Sequence, residues 1–265
     1  MKFALIDDEK AEATKGARGL CASCGSELIA RCGEVKINHW AHRGNRNCDP
    51  WWENETDWHR SWKSKFPVTW QEVIHFDESG EKHIADVKTE NGCVLEFQHS
   101  YLNPEERRSR NAFYPKLVWV VDGARRKTDK TQFQRILNES TTVTKETLIR
   151  RVYFPDECRL LNEWNGSNAL VFFDFAEDKD LEQSNFWFLL PRTSSDYFYL
   201  YPFSRDKFVE IHSNNTFDEV VKNIIIHFRN ELARCAQIQH ENMLYSIQNM
   251  RLANSRRHAK RKEHL

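Results

Sequence analysis

Asp86 and Glu96 stand ten residues apart, with Asn91-Gly92 between them and Gln98 two residues after the glutamate. Asn-Gly is a strong hairpin signal, because both residues tolerate positive φ. On two strands joined at that turn, the carboxylates can face one another. Alternation along the second strand puts Glu96 and Gln98 on one face and Phe97 on the other. Two carboxylates meeting in this way attract a hard divalent cation, Mg2+ or Mn2+. Such a cation polarises a phosphodiester and lowers the pKa of a bound water. The polar side chain of Gln98 is placed to orient that water or touch the phosphate, where many nucleases carry lysine. Asp86 and Glu96 both interrupt otherwise apolar strands, where an unpartnered carboxylate is costly. The plain alternative is a solvated surface hairpin.

A second constellation is Cys21-x2-Cys24 followed by His39-x2-His42. These are four ligands for a tetrahedral, structural zinc, and Gly25 permits the tight turn of the cysteine half. Cys32 and Cys48 stand close enough in sequence for either to displace one histidine. The competing reading is a set of buried thiols acting as small hydrophobes.

The elements that must position these residues follow from periodicity. Trp58, Trp62 and Phe66 recur at four-residue spacing, which predicts a helix over 51–66 ended by Pro67. Glu55, His59 and Lys63 form a second stripe on that helix, bordering the aromatic one. Three strands are expected at 68–76, 83–88 and 93–98, then a helix opened by Pro104, then a buried strand at 117–121. The order is α-β-β-β-α-β. Residues 1–50 read as a Cys/His-rich module too small to hold a core without a staple. Residues 126–265 read as an α+β region: a linker or surface helix, aromatic strands such as 170–173 and 186–190, and a long helix from Phe217 with a basic tail.

Taken together, these segments resemble the CoiA-like competence protein family, whose core is a nuclease of the PD-(D/E)XK superfamily with a restriction-endonuclease-like fold. The matching pieces are Cys21-Ala22-Ser23-Cys24, His39-Trp40-Ala41-His42, Glu55 with His59 and Lys63, and Ala85-Asp86-Val87. They continue with Glu96-Phe97-Gln98-His99-Ser100, Arg110 with Tyr114, and Trp119-Val120-Val121-Asp122. The resemblance covers about residues 1–125. It implies metal-dependent hydrolysis of DNA in uptake, processing or defence against foreign DNA. It also implies a metal on Asp86 and Glu96, completed by Glu55 with His59 nearby, and Gln98 in the lysine position.

The 265-residue chain carries 39 basic and 39 acidic side chains, so binding of DNA (or RNA) must rest on local patches. Arg107, Arg108 and Arg110, joined by Lys63, are the expected nucleic-acid contacts, and Arg125, Arg126, Lys127 and Lys130 form a second basic group. No apolar run reaches membrane-spanning length and the first residues turn acidic too early for a signal peptide, so a cytoplasmic protein with reduced cysteines is expected. The C-terminal region offers a surface to a second copy or another protein. The competing functional readings are a zinc-stabilised module that binds nucleic acid without cutting it, and a scaffold subunit.

Overall fold

A computed structural model describes residues 1–34, 37–44, 48–51, 55–175, 186–193 and 196–262, with side chains described as far as 253. Two sheets and six α-helices make up a mixed α/β architecture among the described residues.

The first sheet is a small antiparallel one. It holds β1 (Phe3–Ile6), β2 (Glu9–Glu12), β3 (Arg18–Leu20), β4 (Glu27–Arg31) and β5 (His39–His42), in the order β2-β1-β3-β4-β5. Its buried apolar cluster among the described residues is Ala4, Ala13, Cys21, Leu28 and Trp40. Gly19 is required there, because a Cβ would lie 2.8 Å from Ala4 Cβ and 2.9 Å from the Leu5 carbonyl.

The second sheet has nine strands: β6 (Gln71–Phe76), β7 (Lys82–Lys88), β8 (Val94–Gln98), β9 (Leu117–Asp122), β10 (Thr141–Thr142), β11 (Arg150–Val152), β12 (Leu170–Asp174), β13 (Phe186–Leu189) and β14 (Phe198–Pro202). Their order is β10-β11-β14-β13-β12-β9-β8-β7-β6. β8, β9 and β12 run parallel, which requires crossovers, and β6, β7 and β8 form an antiparallel meander. The helices are α1 (Asp57–Lys63), α2 (Pro104–Phe113), α3 (Lys127–Glu139), α4 (Arg159–Trp164), α5 (Arg205–Ser213) and α6 (Phe217–Lys262).

The central strands carry apolar residues on both faces. In β9, Trp119 and Val121 pack with α2, α3 and α4, while Val118 and Val120 pack with α1, α5 and α6. This two-sided burial is what a continuous apolar run requires. The order α1-β6-β7-β8-α2-β9 matches the expected succession. The strands of 126–202 add to the same sheet, with Leu170–Asp174 registered on Val118–Asp122.

The first helix is shorter at both ends than expected, ending at Lys63 so that Phe66 lies beyond it, and the first strand of the meander starts later. The first helix starts at Asp57, where Thr56 Oγ1 caps it by accepting the His59 N–H at 3.3 Å, so Trp51 and Glu55 precede it. Residues 68–70 form a 3-10 turn, and the strand begins at Gln71.

Candidate functional site

The hairpin carboxylates meet where the ladder opens. β7 and β8 pair at Val87–Leu95 and Lys88–Val94, so the next position sets Asp86 opposite Glu96. There side chains replace backbone acceptors: Phe97 N–H donates to Asp86 Oδ2 at 3.0 Å, and Asp86 N–H to Glu96 Oε1 at 3.4 Å. On the other side of β7, Gln71 faces Val87 and Val73 faces Ala85, which brackets Glu72 opposite Asp86. Glu72, Asp86 and Glu96 therefore occupy one row across three strands. Glu72 is held at φ 47°, a left-handed conformation costly for a residue with a side chain. That turn aims its carboxylate at the Lys2 and Phe3 N–H groups, 2.7 and 3.0 Å away.

A cavity of about 70 Å3 lies over this row, lined among others by Asp49, Glu55, His59, Lys63, Gln98 and Arg110. Lys63 is buried and reaches Glu55 at 2.8 Å, Glu72 at 2.9 Å and Asp86 at 3.8 Å. Burial alone would lower the pKa of the Lys63 ammonium, but Glu72, Asp86 and Glu55 together raise it. The same pairing overcomes the effect of burial on Glu72 and holds it at about 2, and it lowers Glu55 as well. Glu96 goes the other way: burial and the adjacent Asp86 push it well above the usual carboxylate range, against the pull of Arg110. Arg110 Nη1 reaches Glu96 Oε2 at 3.2 Å, while its other nitrogens hold Glu106 and the Trp51 carbonyl. Gln98 is buried and donates to the Ser100 carbonyl at 3.1 Å.

The expected residues are thus gathered, with changed partners. Asp86, Glu96, Gln98, Glu55, His59 and Lys63 all line one cavity. Glu55 is held by Lys63 and by Arg60, 3.3 Å away. Lys63 and Arg110, expected at the nucleic-acid surface, face inward, because each neutralises buried carboxylate charge. Arg107 lies over the Trp164 ring and donates to the Glu163 carbonyl, which leaves Arg108 the exposed member of the trio. Arg125 and Arg126 pair with Asp129 and Glu163 rather than presenting a free basic patch. The side chains of the basic tail lie outside the described residues.

Two acids were missed by the sequence reading. Glu72 stands in a polar-apolar strand that reads as an ordinary solvated edge. Asp49 sits in the Cys/His module, far along the chain from β7. Asp49 accepts from Ile84 N–H at 2.8 Å and lies 2.9 Å from His83 Nδ1, with Trp51 stacked on the His83 ring at 3.3 Å. The row spacing of the sheet would have exposed Glu72 only once the register was known.

The metal cluster among the described residues is Cys21, Cys24, His42 and Cys48, whose ligand atoms lie within 4.8 Å of one another. Tetrahedral ligands with zinc–sulfur distances near 2.3 Å stand about 3.8 Å apart, so this three-sulfur, one-nitrogen set fits zinc. Cys21 and Cys48 are 3.4 Å apart, and Cys24 is 3.3 Å from His42 Nε2. Burial would raise the Cys24 thiol, but hydrogen bonds from Ser26, His42 and Cys48 lower it to about 6. Burial and Cys21 push Cys48 up to about 12. His39 is corrected out of the set. It lies on the same strand as His42, three residues away, so alternation sends the two rings to opposite faces. His39 Nδ1 instead stands 2.9 Å from the Ile37 carbonyl, and Cys48 takes the fourth place.

Residues 5–50 match the family described as Competence protein CoiA, N-terminal domain. That match spans the small sheet and the cysteine cluster, and it links the chain to CoiA-like competence proteins through this module. No curated protein and no solved structure matches the chain. No helix among the described residues is long and apolar enough to cross a membrane.

Proposed function

We propose that this protein is a divalent-cation-dependent nuclease that hydrolyses DNA phosphodiesters, built on a restriction-endonuclease-like core with a structural zinc module. One observation carries the reading. The cavity is lined by five acids (Asp49, Glu55, Glu72, Asp86 and Glu96) against the Lys63 and Arg110 cations and the Met1 amino group, and three of those acids stand in one row where the ladder parts. Excess buried negative charge of this kind is costly unless a cation joins it. The element order and the placement of Asp86 and Glu96 on the second and third strands agree with the resemblance, and the competence link favours DNA as the polymer.

Asp86 and Glu96 would hold Mg2+ or Mn2+, and the bound ion would supply charge neutralisation and an acidified water. Glu96 must lose its proton for this, so loading is favoured by higher pH. Glu55 and Glu72 act through Lys63: they keep its ammonium charged and fixed 3.8 Å from Asp86, where it neutralises phosphate charge. Gln98 stands at the position where many nucleases carry lysine and orients water or phosphate.

Cleavage of supercoiled plasmid and of a labelled single strand, with Mg2+ or Mn2+, tests this. Wild type is expected to cut, and Asp86→Asn and Glu96→Gln to lose roughly 10²-fold or more. The second reading, a binding module without cleavage, is favoured by the ion pairs that already occupy Glu55 and Glu72. It wins if wild type binds DNA yet cuts neither form with either metal.

A further inference from the structure

His99 follows β8 directly and stands at the carboxyl end of three parallel strands, β8, β9 and β12. Open α/β sheets bind ligands at that end. Its Nδ1 lies 2.6 Å from Oδ2 of Asp122, the last residue of β9. Asp122 is itself buried, and its other oxygen accepts the Ala124 N–H at 2.8 Å. A carboxylate bound in this way fixes the tautomer and plane of the imidazole. The His99 side chain is 37% exposed, enough to meet a ligand, while Nδ1 is engaged by Asp122. The His59 ring, which lines the acidic cavity, is 6.0 Å from it, and Trp58 is 6.3 Å away. The charged and titratable groups around it are Asp122 from β9 and His59 from α1, with Arg125 donating to the Ser100 carbonyl next along the chain.

We infer that His99, oriented by Asp122, is the general acid that protonates the leaving oxygen of the cleaved phosphodiester; this rests on the nuclease reading above. A phosphodiester bound over the carboxylate row would reach the dyad past His59, whose ring is 6.0 Å from that of His99. The attacking water oxygen bonds to phosphorus and releases one proton to solvent. The phosphorus–oxygen bond to the leaving sugar breaks, its electron pair stays on that oxygen, and the His99 Nε2 proton joins it. The products are a phosphomonoester and an alcohol, and the imidazole regains its proton from solvent. Asp122 is a positioning residue in this step.

The test compares plasmid DNA with bis(p-nitrophenyl) phosphate, whose leaving group departs without a proton. His99→Ala and His99→Gln are expected to lose about 10²-fold or more on DNA, the usual worth of a proton-transfer group, and far less on the activated ester. Asp122→Asn should show the same selectivity, with a smaller loss on DNA and the activated ester spared, which a merely structural role would not produce. Asp86→Asn should lose both substrates, which separates the nuclease reading from the role of His99. Equal losses of the His99 variants on the two substrates, or none on DNA, overturn the general acid while leaving the nuclease reading intact. Failure of wild type on both substrates overturns both.

Discussion

Glu72 and Glu96 are neighbours of the same aspartate, yet their environments push them in opposite directions. Glu72, held at about 2, lies below the unfolded glutamate value of 4.5. Its contribution to stability is therefore fully present above the unfolded value and is lost as pH falls through about 2. That contribution is up to about 3 kcal/mol, and denaturant titrations between pH 5 and 2 should follow its loss. Lys63→Met should abolish that loss while costing about 3–5 kcal/mol near neutrality, because it strands buried carboxylates. Glu96 has the opposite sign. A raised carboxylate stabilises only while protonated, so its contribution is present at low pH and disappears as pH rises. Glu96→Gln should therefore raise the melting temperature by a few degrees at neutral pH while it removes cleavage. A site that trades stability for charge is expected to show that pairing of effects.

At the scale of elements, the helix α1 carries His59 and Lys63 but spans only seven residues, too few to hold itself in water. Asp174, at the end of β12, supplies the anchor. Its Oδ2 accepts from the Trp58 and Trp62 indoles at 2.9 and 2.8 Å, and its Oδ1 accepts from Arg205 Nε at 2.7 Å. Asp174→Ala should cost about 3–5 kcal/mol in urea denaturation, since Arg205 and two indoles lose their acceptor together. Cleavage should fall in step, because the helix that brings His59 and Lys63 to the carboxylate row is set free. Neither β12 nor its aspartate falls within residues 1–125, so this dependence arises from the sheet and not from any local motif.

For the molecule as a whole, the small sheet is a working part of the cavity. Ser23 accepts from Lys82 Nζ, and Asp49 accepts from Ile84 N–H, which ties both ends of the cysteine module to the strand that bears Asp86. With five residues in its buried apolar cluster, this module is expected to depend on a zinc ion for its stability. Purified wild type should carry one zinc per chain by metal analysis. Cys48→Ser should lose it and melt lower, and His39→Ala should keep it; the reverse result would restore the H-x2-H ligand pair. At the other end, α6 leaves Ile238, Met243, Leu244, Tyr245, Met250 and Leu252 exposed, on the region where a partner surface is expected.

By itself the sequence determined the local features. Asn91-Gly92, Pro104, the apolar run at 117–121 and the Cys21-x2-Cys24 knuckle each act within a few residues, so periodicity and turn chemistry reveal them. It also brought Asp86 and Glu96 together, since a hairpin fixes near neighbours. Only the tertiary structure decided the rest. Register placed Glu72 in the carboxylate row, strand alternation exchanged His39 for Cys48, and a parallel crossover set Asp122 beside His99 and Asp174 beneath α1. Those pairings span tens of residues of chain, and they are chosen by burial and sheet geometry across the whole core rather than by any local spacing.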